Sequence, residues 1–176
     1  MPTTKAKKSS CPANAGHLLT DVYFSLGSNQ GDREANIKAA LSALNRSYGK
    51  YTRISKIIET EPVGFDSPNR FLNLCVRYRI PRKSEDPLQD CLRILHRIKA
   101  IEEQLGRNLK VEFDEAGNRI YHDRPIDIDI LFMGDIRISS SLVTVPHPRI
   151  QDRDFVLRPL RQIATPTLRR SFPEYF

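Results

Sequence analysis

Hydrophobic and polar positions alternate along this chain in segments that predict both strands and helices. Residues 18–26 are apolar enough for a strand and stop at a turn rich in glycine and asparagine. From Arg33 apolar residues recur every three or four positions, and Asp32 is placed to cap the helix that this spacing predicts. Residues 85–105 repeat the spacing over a longer stretch, so a second helix is expected to end at Gly106.

Three more apolar runs predict strands, over residues 51–60, 71–80 and 124–132. The resulting order is strand, helix, strand, strand, helix, strand. This order predicts an α+β fold with a ferredoxin-like βαββαβ core, in which helices pack on one face of an antiparallel sheet. C-terminal additions are expected as one or two short strands over 136–145 and a closing helix over 155–163.

The last core strand carries two acids, Asp127 and Asp129, inside an otherwise apolar run. Side chains alternate faces along a strand, so both carboxylates point the same way, with Cα atoms roughly 6.5 Å apart. Ile126, Ile128 and Ile130 take the opposite face and are expected in the core. Unpaired charges are costly in apolar surroundings, and paired carboxylate oxygens suit magnesium. The alternative is an exposed edge strand with a solvated acidic face.

Basic residues flank this strand in sequence: Arg107, Lys110, Arg119 and Arg124 before it, and Arg149 and Arg153 after it. Arginine binds phosphate oxygens through two parallel hydrogen bonds, so these residues favour a polyphosphate partner. His147 lies between two prolines on a stiff loop and could also touch a phosphate. Each of these residues taken alone could equally be a surface or structural residue.

Aromatic and amide side chains in other segments could surround a planar ligand. The candidates are Phe71, Asn73, Tyr121 and Phe155, and residues 60–64 would place backbone groups beside them. Aromatic residues next to strands are more often part of a core, which is the alternative for this set.

Composition adds limits to this picture. A length of 176 residues fits one domain with a sizeable core. The formal net charge is +7, of which Lys5, Lys7 and Lys8 contribute three. We expect residues 1–18 to be a flexible basic tail and residues 19–176 to be a single domain. The remaining positive charge suits a small molecule that bears phosphates at least as well as a nucleic acid.

The cysteines, Cys11, Cys75 and Cys91, are odd in number and have no C-x-x-C spacing. A disulfide framework and a zinc site are therefore disfavoured, and we expect the cytoplasm. No signal-peptide core or membrane span is present in the sequence, so no membrane association is expected. The G-x-x-x-x-G-K-[ST], G-x-G-x-x-G and G-x-S-x-G motifs are also absent.

Taken in order, these segments resemble the 6-hydroxymethyl-7,8-dihydropterin pyrophosphokinase family of folate biosynthesis, from about residue 22 to residue 160. The matching motifs are SLGSN at 25–29, TEPVG at 60–64, FLN at 71–73, IE at 101–102 with LGR at 105–107, the two-aspartate strand, VPHPR at 145–149 and RDFVL at 153–157. Each motif alone is weak, but the ordered set is specific. The resemblance implies transfer of pyrophosphate from ATP to a pterin alcohol, with AMP as the second product.

The resemblance also implies roles for individual residues. Two Mg²⁺ ions would be bound by Asp127 and Asp129, with Arg107 and Arg124 as the main catalytic cations. The nucleotide would meet Glu102, Lys110, Ile130, Thr144, His147 and Arg153. The pterin would meet Thr60, Val63, Phe71, Asn73 and Phe155, and Tyr121 would replace a tryptophan that the family often has. Residues 108–123 look longer and more acidic than in compact members, and Lys110 is taken as their mobile phosphate contact.

Two alternatives belong to other classes. A basic chain with this order of elements could be an RNA-recognition-motif module, since residues 70–78 resemble its aromatic strand. The module's glycines are missing, however, and Asp127 and Asp129 would repel an RNA backbone. A binding-only protein would keep the pocket without turnover. We therefore predict a monomeric enzyme whose partners are ATP and a reduced pterin alcohol, with no nucleic acid.

Overall fold

The protein is described here by a computed structural model that covers residues 18–176. The predicted tail therefore lies outside the described residues, except for Leu18. Within the described range, none of the helices is long and apolar enough to cross a membrane.

The elements follow the predicted order. They are β1 (Leu19–Ser28), α1 (Arg33–Tyr48), β2 (Arg53–Ile54), β3 (Ile58–Thr60), β4 (Phe71–Pro81), α2 (Pro87–Gln104), β5 (Glu112–Phe113), β6 (Arg119–Ile120), β7 (Asp127–Met133), β8 (Ile138–Ser139), β9 (Thr144–Val145), α3 (Asp154–Ile163), α4 (Pro166–Ser171) and a 3₁₀ turn (Pro173–Tyr175). Asp32 caps α1 as predicted, since its carboxylate accepts a hydrogen bond from the Ala35 amide at 2.9 Å.

The central sheet is antiparallel, with the strand order β2-β4-β1-β7, and β3 pairs with the same strand as β2. The predicted strand over residues 51–60 is broken in two. Ile54 pairs with Val76 but Ile58 pairs with Asn73. Residues 54–58 therefore contain one residue more than the part of β4 that they face, which forms a bulge. Ser55 precedes this bulge: its backbone amide donates to the Cys75 carbonyl and its hydroxyl accepts a hydrogen bond from the Cys75 amide, both at 2.9 Å.

The main core lies between one face of the sheet and helices α1 and α2, which confirms the predicted layer. Alternate residues of the long strands point into it, including Phe24, Val76 and Ile128, all with no solvent exposure. Tyr78 is also fully buried there, and its hydroxyl donates to the Asn45 side chain at 2.9 Å. Ile126, Ile128 and Ile130 lie in this core, as the alternation predicts.

Helices α3 and α4 cover only part of the opposite face. They pack on Tyr23, Cys75 and Phe132, which form a second buried cluster with the C-terminal segment. Further along the same strands, Ser25 and Asn73 have no helix above them and instead line a cavity. The C-terminal additions therefore leave a half of one sheet face open, and this half holds the candidate site.

The start of α2 depends on Asp90, whose side chain is only 2% exposed. Its carboxylate accepts hydrogen bonds from the Lys83 amide and from Arg93, both at 3.0 Å, and Arg82 lies 3.6 Å away. Burial opposes ionisation, but these donors outweigh it and hold the pKa of Asp90 below its usual range. We predict that Asp90→Asn lowers the free energy of unfolding at pH 7 by about 1–3 kcal/mol.

This loss should depend on pH in a defined direction. Because the folded pKa of Asp90 lies below the unfolded one, its stabilisation is present above about pH 4 and disappears as the pH falls through the folded pKa. Urea unfolding of both proteins at pH 7 and pH 3 measures the difference. Asp86→Asn is the matched control, since asparagine caps a helix as well as aspartate. A difference that stays constant with pH would contradict this role.

Candidate active site

A cavity of about 450 Å³ occupies the open half of the sheet. Its floor is formed by residues on one face of β1, β4 and β7, namely Ser25, Gly27, Asn73, Asp127 and Asp129. Gly27 is required by close packing, since a Cβ atom there would lie 2.9 Å from the Asn73 side-chain oxygen. The floor therefore combines a close-packed sheet with two carboxylates that point into the same space, as the strand alternation predicts.

Cations surround both carboxylates. Arg107 donates a short hydrogen bond to Asp127, and the Arg124 Nε atom lies 3.3 Å from the other oxygen of that carboxylate. Burial alone would raise the pKa of Asp127, but Arg107 and Arg124 outweigh it and lower that pKa. Asp129 has a weaker partner, with Arg153 Nη1 at 3.8 Å. Burial and the neighbouring charge of Asp127 raise the pKa of Asp129.

A second buried acid holds Arg107 in place. Glu102 on α2 has no solvent exposure, and it accepts hydrogen bonds from Arg107, from the Ile128 amide at 2.6 Å and from Lys99 at 2.7 Å. It therefore lies behind the cavity wall, while Lys99 lines the cavity. Sequence reasoning missed Lys99, although its position three residues before Glu102 places both on one helix face.

His147 also lines the cavity, from a loop that pairs with the edge of β7. Its amide donates to the Leu131 carbonyl at 3.0 Å, and its Nδ1 atom accepts from the Arg149 amide at 3.2 Å. Since Nδ1 accepts, the neutral ring carries its proton on Nε2 and can donate there. Burial lowers the pKa of His147, which favours this neutral form.

Aromatic rings form the remaining wall. The Arg124 guanidinium lies 5.2 Å from the Phe71 ring centre, and Phe65 packs edge-on against Phe71 at 6.3 Å. Phe65 also stacks with Tyr121 at 6.4 Å, which joins the loops before β4 and β7. Sequence reasoning missed Phe65 because a single aromatic residue in a proline-rich loop carries no pattern.

Most of the residues predicted from the sequence come together here. Those that line the cavity are Arg107, Arg124, Asp127, Asp129, His147, Arg153, Thr60, Val63, Phe71, Asn73, Tyr121 and Phe155. Four do not line it: Glu102 and Ile130 are buried, Lys110 is exposed on a loop, and Thr144 lies on β9. Arg119 and Arg149 also line the cavity.

A search of protein families gives a match over residues 23–165 to the family described as 7,8-dihydro-6-hydroxymethylpterin-pyrophosphokinase. The chain belongs to this family. A pyrophosphokinase of this type from Porphyromonas gingivalis is 44% identical over 81% of this chain and 90% of its own length. The Bacillus subtilis relative is 35% identical over 81% of this chain and 77% of its own. No similarity supports the RNA-binding alternative.

Members of this pyrophosphokinase family also occur as parts of longer chains. The mitochondrial folate synthesis bifunctional protein of Pisum sativum is 37% identical over 81% of this chain, which spans 25% of that protein. Solved structures of Plasmodium falciparum HPPK-DHPS share the fold, with a TM-score of 0.57 and 16% identity. They match 92% of this chain, which spans 44% of theirs. The ferredoxin-like fold class is thus confirmed.

The buried position of Glu102 generates a prediction. Glu102→Gln keeps the shape but removes the charge that faces Arg107 and Lys99, so we expect the free energy of unfolding to fall by about 3 kcal/mol. Urea unfolding at pH 7 measures this loss.

Glu103→Gln, one residue further along α2 and exposed, is the matched control and should change stability by less than about 0.5 kcal/mol. If both variants unfold like the original protein, Glu102 is uncharged in the folded state and the proposed anchoring of Arg107 is wrong.

Proposed function

We propose that this protein transfers the pyrophosphoryl group of ATP to 6-hydroxymethyl-7,8-dihydropterin in folate biosynthesis, which gives the pterin diphosphate and AMP. The observation that carries the proposal is one cavity with two dissimilar halves. Asp127, Asp129 and their arginines form a charged half, and Phe71 with Asn73 forms an aromatic and amide half. A reaction that joins a polyphosphate to a planar alcohol needs both halves in contact.

The charged half suits a triphosphate. Lys99, Arg107, Arg124 and Arg153 all face the cavity. Arg107 and Arg124 already pair with Asp127, so a metal-bound polyphosphate can exchange with these contacts without leaving a buried charge unpaired. His147 would add a neutral donor from Nε2. We propose that Arg107 and Arg124 offset the charge that develops on the transferred group.

The two aspartates fit magnesium. Among residues 18–176 there is no group of three or more His, Cys, Asp and Glu side chains that could hold a metal ion alone. Magnesium in nucleotide enzymes is, however, bound by one or two carboxylates together with substrate phosphates, so this pair suffices. Within the described residues, Asp129 accepts no hydrogen bond from a side chain and is available as a ligand. Two bound Mg²⁺ ions would stabilise charge on the attacking and leaving oxygens.

The second half of the cavity suits a pterin. Asn73 donates to the Thr60 hydroxyl at 2.9 Å, so its side chain is fixed and its oxygen faces Gly27. An amide oriented in this way can recognise a ring that has both donors and acceptors. Phe71 and Phe155 provide apolar surface, with Tyr121 and Val63 at the rim. We assign the pterin to this half and the phosphates to the other.

The mechanism requires positioning rather than a covalent intermediate. The pterin hydroxymethyl oxygen attacks the β-phosphorus of ATP, and the bond to the α-phosphate oxygen breaks to release AMP. Glu102 acts at a distance by holding Arg107. We assign Lys110 to a mobile phosphate contact and place the adenine near Ile130 and Thr144, beyond the described cavity. Residues 62–70 and 108–123 are proposed to exclude water.

Other properties of the protein are also proposals. We infer that residues 19–176 form a single domain that acts as a monomer in the cytoplasm. ATP and the pterin alcohol would be its partners, without a nucleic acid or a membrane.

Chromatography of the nucleotides released from ATP, Mg²⁺ and 6-hydroxymethyl-7,8-dihydropterin tests this function. We expect AMP, formed only when the pterin is present. Asp127→Asn and Asp129→Asn should each slow its formation by at least about a hundredfold, because preorganised charge is lost at the reacting group.

Asp135→Asn, just beyond the end of the same strand, is the matched control and should keep the original rate. Release of ADP would identify a simple kinase or hydrolase. Binding of both ligands without any release would identify a binding-only protein.

A further inference from the structure

Asp123 joins three of the segments that border the cavity, although it does not line the cavity itself. One carboxylate oxygen accepts a hydrogen bond from the Asn29 side chain at 2.6 Å. The other accepts from the Asn69 side chain. We call these three residues, Asn29, Asn69 and Asp123, the Asp123 clasp.

Asn29 anchors this clasp to the sheet. It follows β1 directly and is only 2% exposed. Its side-chain oxygen accepts from the Arg124 amide at 2.8 Å, and its own amide donates to the Arg124 carbonyl at 3.2 Å. Its side-chain nitrogen also lies 3.3 Å from the Asn69 carbonyl. The buried end of β1 therefore holds both Arg124 and the segment that contains Asn69.

The joined segments carry residues of both halves of the cavity. The segment 62–70 holds Val63 and Phe65 beside the aromatic wall, and the segment that ends at Asp123 carries Tyr121. Arg124, the next residue, faces Asp127. The clasp lies where the sequence departs from the tryptophan and glycine that the family often has before this arginine.

We propose that Asp123 is a positioning residue, which holds the segment 62–70 against the strand that carries the arginine and aspartates and so shapes the pterin half of the cavity. This inference rests on the proposed function, because it assigns the pterin to that half. A carboxylate suits the role because Asn29 and Asn69 each present an amide N–H₂ donor. The two carboxylate oxygens of Asp123 provide one acceptor for each donor.

Alanine at this position tests the proposal. Asp123→Ala leaves Arg124 bonded to Asn29 but frees the Asn69 side chain, so the pterin half should loosen while the charged half keeps its cations. We expect the KM for the pterin to rise on the order of tenfold, which is what loss of hydrogen bonds to a charged group costs. The KM for ATP should change by less than about twofold.

A reciprocal exchange separates positioning from general damage. In the double variant Asp123→Asn/Asn69→Asp, residue 123 can still accept from Asn29 and now donates to the carboxylate at residue 69. Either single variant should weaken pterin binding, and the double variant should recover to within about threefold of the original. Recovery depends on this one contact, so an unrelated structural defect would not show it.

Two further readouts do not depend on turnover. The affinity for 6-hydroxymethylpterin, measured by its fluorescence without nucleotide, should follow the same order as KM. Hydrogen exchange of amides 62–70 should accelerate in Asp123→Ala and return in the double variant, while exchange in β1 stays unchanged. These readouts separate a failure of the positioning proposal from a failure of the proposed function, since hydrogen exchange can be measured even if no AMP forms.

Each outcome of these experiments either supports or overturns the positioning role of Asp123. A tenfold rise in KM and faster exchange, both reversed by the double variant, would support the positioning role. Unchanged pterin affinity and exchange in Asp123→Ala would overturn it, as would a double variant no better than the poorer single variant.

Discussion

The site depends on one arginine shared by two acids. Arg107 bonds to Glu102, which α2 buries completely, and to Asp127, which faces the cavity from β7. Glu102 also accepts a hydrogen bond from the Ile128 amide. This bond holds α2 against β7 beside the charged side chain of Asp127. Without this anchor, a carboxylate on the floor would be buried beside a mobile cation, and the cost of its burial would not be offset.

The rest of the cavity follows from which part of the sheet is covered. Helices α1 and α2 pack on one face, and α3 covers the other only as far as Cys75 and Tyr23. Beyond that boundary the same strands expose polar residues, among them Asn73 and Asp129. Because one face of these strands packs on α1 and α2, their other face forms a rigid floor for the cavity. Rigid strands hold the two carboxylates and the Asn73 amide, whereas loops supply the aromatic rim and the outer arginines.

The sequence predicted the parts of this arrangement that have a period or a fixed offset. Alternation placed Asp127 and Asp129 on one face and Ile126, Ile128 and Ile130 on the other, and the order of elements predicted the ferredoxin-like core. Resemblance to the family supplied the ordered motifs and the expected roles of Ile130 and Thr144, which no local pattern would reveal.

Features that depend on long-range contacts could not be predicted in this way. The bulge after Ser55 is accompanied by a hydrogen bond from Cys75, twenty residues away, to the Ser55 hydroxyl. Helix packing buries Glu102 behind Arg107 and brings Lys99 to the cavity, and no local pattern shows either position. Phe65 and Asp123 gain their positions from partners in other loops.

The central claim is that the two aspartates bind Mg²⁺ together with the phosphates of ATP. Calorimetric titration of α,β-methylene-ATP, with and without Mg²⁺, tests it most directly because the analogue cannot release AMP. We expect Mg²⁺ to tighten binding at least about tenfold in the original protein, and Asp129→Asn to abolish this gain. An equal gain from Mg²⁺ in Asp129→Asn would contradict the account, since the metal would then be bound elsewhere.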